Sequence, residues 1–129
     1  MKGARIAAMA AGTINVVTGL YAFFAPEAFF RRAPYPPYNE HFIHDIGAFL
    51  VGLGVVLLLA AWFSSALFVA LAGVAAGTWL HFAAHLMDRD QVGGAWRDVL
   101  FTGVLGAVLT AGALAVKPAR PLGIAKRSQ

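Results

Sequence analysis

Apolar positions along the chain gather into four blocks, at residues 4–24, 42–63, 66–87 and 96–116. Each is close to the roughly 20 residues that a helix needs to cross the hydrocarbon core of a bilayer. No block alternates with the period of two expected of a barrel strand. The pattern predicts an all-α protein, an integral membrane four-helix bundle forming a single domain over residues 1–129. The punctuation between blocks is short. "APEAFFRR" reads as an interfacial helix over about residues 26–32, with Pro26 in its first turn and Phe29 and Phe30 toward lipid. "APYPPYN" cannot continue a helix, and its tyrosines suit the headgroup level. Only Ser64 and Ser65 separate the second and third blocks, which predicts a tight antiparallel hairpin, and the tail 117–129 reads as disordered and basic. Lys2 and Arg5 ahead of the first block resemble a secretory signal, but the length of the block and Pro26 after Ala25 predict a retained helix.

Composition strengthens this picture. The chain is 60% hydrophobic and only 12% charged, with a mean hydropathy of +0.71, so its charges are too few to cover the surface of a soluble domain and lipid is its expected partner. The net charge is +4, yet the basic residues sit at block ends and not in a patch interleaved with exposed aromatics, which argues against nucleic acid. Lys2, Arg5, Lys117, Arg120, Lys126 and Arg127 fall on one side of the expected topology and Arg31, Arg32, Arg89 and Arg97 on the other, which puts both termini in the cytoplasm. The absence of cysteine excludes disulfides, thiolate metal ligands and a cysteine nucleophile.

Chemistry concentrates at two places, "YNEHFIHD" where the second block opens and "HFAAHLMD" where the third closes. In an antiparallel pair these reach the same depth, so His44 comes level with His81 and His85. At 100° per residue His81, His85 and Asp88 share an arc of about 60° with Val74, Gly77 and Thr78. Glu40 with His44, and His41 with Asp45, are spaced i,i+4. The first and fourth blocks carry interior stripes: Ala8, Ala11, Asn15, Thr18, Gly19 and Ala22, and Asp98, Thr102, Gly106, Leu109 and Ala113. Gly73-x-x-x-Gly77 is a close-packing signature between membrane helices.

His81-x-x-x-His85 has the spacing that brings two imidazoles to one metal ion. With His44 and a carboxylate from Glu40, Asp45 or Asp88, the set suits copper, iron or zinc. Glu40, His41 and Asp98 read more simply as caps and ion pairs, with Asn39 as the N-cap of the second block. Glu-x-x-His repeats of di-iron bundles are missing. A haem b held by one histidine from each of two helices needs the bundle to splay. Phosphate loops and Gly-x-Ser-x-Gly elbows are absent from the sequence, and no serine lies near these histidines.

In "APEAFFRR", "NEHFIHDIGAFLVGLG" and "HFAAHLMD" the chain resembles small four-helix bacterial membrane proteins described as DoxX-like, with Asn39, Glu40, His41, Asp45 and Gly47 matching their second-helix pattern. That resemblance implies the bacterial cytoplasmic membrane, and for some relatives a quinone-linked oxidoreductase subunit. The expected function is a histidine-rich, metal-binding and redox-active membrane site. The alternatives are an accessory subunit of a larger membrane complex, or of a homo-oligomer, and a haem- or quinone-binding electron carrier.

Overall fold

The computed structural model describes residues 1–63, 65–90 and 95–116. Ser64 of the expected hairpin turn and the basic tail, with Lys117, Arg120, Lys126 and Arg127, lie outside the described residues. The chain is a bundle of helices: α1 (Lys2–Phe24), α2 (Pro26–Arg32), α3 (Glu40–Trp62), α4 (Leu67–Met87) and α5 (Trp96–Leu114), with no strand among the described residues. All but α2 are long and apolar enough to cross a membrane.

Local sequence explains the helix limits. Pro26 opens α2, whose missing N–H costs nothing at a first turn. Glu27 sits at its N-terminal turn and Arg31 and Arg32 at its last, each favourable to the helix dipole, and Glu27 pairs with Arg31 at 3.1 Å. The Asn39 side chain accepts a hydrogen bond from the Phe42 N–H at 3.1 Å, capping α3 as expected.

Lipid supplies no hydrophobic push between helices, so close packing of small side chains must hold them together. In α1 and α3 this is done by two reciprocal glycine pairs. A Cβ on Gly12 would meet the Gly54 carbonyl at 2.9 Å, and one on Gly19 would meet the Gly47 carbonyl at 2.6 Å. The partners are seven residues apart on each helix, two turns, so both crossings lie on one face. Across α4 and α5 the fit is ring into notch: Trp79 lies over Gly106 and Phe82 over Gly103. The Trp79 indole N–H donates to the Thr110 hydroxyl at 3.0 Å, which itself donates to the Gly106 carbonyl.

The helices therefore pair as α1 with α3 and α4 with α5, and α3 touches α4 only sparingly. The tight hairpin expected of the second and third blocks is not the main packing unit. Gly73 and Gly77, expected at a close interface, instead have open space where a Cβ would stand. They lie about 150° around α4 from the Trp79 and Phe82 face that meets α5. Of the interior stripes expected in the first and fourth blocks, Ala8, Ala11, Asn15, Gly19 and Ala22, and Thr102, Gly106, Leu109 and Ala113 are buried, while Thr18 and Asp98 are only half-buried.

Ala22, Ile43 and Val99 are buried toward the end that carries the histidines, but the contiguous apolar cluster shared by the four long helices occupies the other half of the bundle. Its members are Ala4, Ala8 and Ala11 of α1, Leu57, Ala60 and Ala61 of α3, Leu67, Ala70, Leu71, Val74 and Ala75 of α4, Leu109 and Ala113 of α5, and Val116 just after it. On α4 nothing is buried beyond Ala75. On α3 Leu57 is fully buried, whereas Leu53, one turn along, is 43% exposed. The four helices are thus sealed together toward the end that carries Lys2 and Arg5. Toward the other end α3 and α4 part.

Candidate functional site

Every acidic residue (Glu27, Glu40, Asp45, Asp88, Asp90 and Asp98) and all four histidines lie toward the open end of the bundle. They fall into two groups, set by the helix pairing.

On the α1–α3 side, the His44 ring packs against Phe23 with centroids 5.1 Å apart, and its Nε2 is 3.9 Å from Glu40. His41 lies 3.7 Å from Asp45. Both are i,i+4 pairs along α3 and, apart from the half-buried His44 ring, largely exposed, so they contribute little to stability. His44 points about half a turn around α3 from Leu57 and Ala60, which join the common core with α4. It is turned away from His81 and His85.

On the α4–α5 side, His81 and His85 stack with ring centroids 4.5 Å apart and planes 27° from parallel. The Tyr35 hydroxyl lies 3.1 Å from Nδ1 of His85, donating to it when that nitrogen is bare and accepting when it is protonated. Tyr35 comes from the 33–39 segment between α2 and α3, which carries a cis peptide between Pro36 and Pro37. The end of α2, where this segment begins, is pinned as well: Arg97 of α5 donates to the Arg32 carbonyl at 2.7 Å and to Asp98 at 3.3 Å. A strap thus crosses the open end and reaches the histidine pair. Partial burial, then the carboxylates of Asp98 and Asp88, hold the Tyr35 phenol above its ordinary value of 10.0, so it is a neutral hydroxyl at physiological pH. The same effect places both carboxylates within electrostatic reach of the Tyr35 hydroxyl. The Thr102 hydroxyl donates to the Asp98 carbonyl at 2.7 Å and fixes the first turn of α5 beneath them.

The sequence-derived set is therefore divided. His81, His85, Asp88 and Asp98 are gathered around Tyr35, whereas His44, Glu40, His41 and Asp45 form a separate group. Among the described residues no three of His, Asp or Glu make up a group able to hold a metal ion. A haem spanning His44 and His81 finds no facing imidazoles. Tyr35 and Arg97 were not singled out by the sequence. Their only signal was a tyrosine in a proline-rich link and an arginine at a helix start, and neither spacing reveals a partner 50 or 65 residues away.

Chemically, the α4–α5 group offers two adjacent imidazoles, one oriented through its second nitrogen, with a neutral phenol and two carboxylates nearby. That combination can bind a cation, exchange protons, or hydrogen-bond a polar head at the membrane surface. No family model matches the chain, and neither the curated proteins nor the solved structures give a significant match.

Proposed function

We propose that this chain is a multi-pass protein of the bacterial cytoplasmic membrane, with both termini cytoplasmic, that binds a transition-metal ion at its outward-facing end. The count of basic residues along the sequence supports the orientation, with six near the two termini against Arg31, Arg32, Arg89 and Arg97 at the connections between spans. The resemblance to DoxX-like proteins supports the bacterial membrane.

One observation carries the metal reading, namely the stacked His81 and His85 rings with Tyr35 set on Nδ1 of His85. Imidazoles one turn apart on a helix can turn a nitrogen each toward one ion. A partner on the second nitrogen fixes the tautomer and the ring plane of a ligating histidine, the role open to Tyr35. Since no three of these side chains already stand together as a metal-holding group among the described residues, Asp98 or Asp88 would supply a carboxylate oxygen only by turning toward the pair on binding. Two nitrogens and an oxygen suit zinc, copper or iron. This ligand set is narrower than the sequence suggests, since His44 belongs to the other group.

Purified protein loaded separately with zinc and with copper, then freed of excess, tests the reading by elemental analysis. We expect one ion per chain, lost in His81→Ala and in His85→Ala and retained in His44→Ala. A preparation without stoichiometric metal, or one in which both substitutions leave the metal in place, overturns it.

A further inference from the structure

We propose that a recess between α2 and the start of α3 holds the headgroup of a phospholipid that carries a primary ammonium, the ammonium on Glu40 and the phosphate on Arg31, with the acyl chains outside it in the bilayer. The recess is an open cavity of about 350 Å³. Ala25, Pro26 and Ala28 supply its apolar lining, and Glu27, Arg31, Tyr38 and Glu40 its polar lining. None of these belongs to the His81 and His85 group, so the recess is independent of the metal reading.

Its position says what lies beside it. The first span ends at Phe24 and the next begins at Glu40, so the recess sits where membrane-crossing segments meet the headgroup layer. Phe24 and Phe42, which border it along the chain, are 77% and 59% exposed, apolar rings suited to the upper part of the acyl chains. A lipid whose tails cover these rings has its head at the level of the recess.

The charges select the head. Glu27 and Arg31 approach to 3.1 Å through one oxygen and one nitrogen, and Arg31 makes no hydrogen bond to any other side chain among the described residues. The Glu40 carboxylate makes no hydrogen bond there either, with His44 Nε2 standing 3.9 Å away. Partial burial, then Glu40 and Glu27, raise the Tyr38 phenol above its ordinary value of 10.0, which sets both carboxylates within electrostatic reach of its hydroxyl. Two carboxylates against one guanidinium leave the lining with an excess of negative charge, which repels an anionic head and attracts an ammonium. A primary ammonium has three N–H donors for the Glu40 oxygens and the Tyr38 hydroxyl, whereas a trimethylated one has none. The remaining donors of Arg31 match a phosphate in a bidentate manner. Size agrees as well, because the volume is close to the lower bound of roughly 300 Å³ for small-molecule sites, enough for a headgroup but not for its chains.

The test uses the full chain in detergent with EDTA present, so that bound metal plays no part. Equimolar phosphatidylethanolamine, phosphatidylcholine and phosphatidylglycerol of identical chains are added, and the lipid retained on the protein is read by native mass spectrometry. We expect the ethanolamine lipid to be retained several-fold more than the other two, and its N-methylated forms to be retained less with each methyl added. Glu40→Gln should bring it down to the level of phosphatidylcholine, and Arg31→Gln should weaken its retention as well. Both side chains are more than half exposed, so neither change threatens the fold. Asp90→Asn, an exposed carboxylate on another link, should leave the preference unchanged. Equal retention of the three lipids, a preference that survives Glu40→Gln, or one lost equally in Asp90→Asn would each overturn the proposal. Displacement of the lipid by an equal concentration of soluble phosphoethanolamine would overturn the membrane as its source.

Discussion

A methyl group on Gly19 would stand 2.6 Å from the Gly47 carbonyl oxygen, and one on Gly47 would stand 2.8 Å from that of Gly19, so neither backbone can yield without separating the helices. Gly19→Ala and Gly47→Ala should each destabilise the bundle by roughly 1 to 3 kcal/mol, the range for overpacking a close contact, measured as thermal unfolding in detergent. Gly77→Ala should cost nothing and gain helix propensity, because nothing occupies the space beside it. Sequence alone favours the opposite ranking, since Gly73 and Gly77 carry the familiar four-residue spacing while Gly12 with Gly19, and Gly47 with Gly54, repeat at seven. The seven-residue spacing was present to be read; its partner helix was not. Tyr35 offers a second test at this scale. Its folded-state value lies above 10.0, so the unfolded chain loses the phenol proton first and stability falls as pH rises beyond that point, being fully present below it. Tyr35→Phe should flatten this alkaline loss, followed by unfolding against pH. Under the metal reading the same substitution should weaken metal affinity about tenfold, as removal of an orienting partner does.

Among the elements, α2 and the strap after it are held by few contacts. Arg97 on the Arg32 carbonyl and Tyr35 on His85 join them to the α4–α5 pair, while Phe30 meets Tyr38 edge-on at 5.1 Å. Arg97→Ala should therefore speed amide hydrogen exchange in residues 27–38 while leaving α1 and α3 protected, since their glycine contacts do not involve the strap. The helices themselves were legible because twenty apolar residues between prolines, serines and charges leave the backbone no alternative in lipid. Their pairing was not. A two-residue connection makes α3 and α4 neighbours in sequence, but small residues on α1 and α3 allow a closer approach than Leu53 and Gly77 do. That difference turns His44 toward Phe23, and no helical wheel of a single span carries it.

For the molecule as a whole, the two ends differ in chemical character, with every carboxylate and imidazole among the described residues at one, beside Arg31, Arg32, Arg89 and Arg97, and Lys2 and Arg5 at the other. The chain has no native cysteine, so single cysteines report topology without background. Asp90→Cys should react with an impermeant maleimide added outside intact cells, and Lys2→Cys only after permeabilisation; the reverse pattern would invert the assigned orientation. The segregation of charge was readable directly, because six acids and four histidines all border the same two links. The half-length core was hidden, as Leu53 and Leu57 are identical in the sequence and opposite in burial. A dry alanine and leucine layer across only half of the thickness also has an electrical consequence. If water and headgroups enter the parted half, the transmembrane voltage drops almost entirely across the sealed layer. A charge held at His81 would then feel only a small share of the roughly 2.3 kcal/mol per 100 mV that a full crossing carries, so occupancy of that site should not change when the membrane is depolarised.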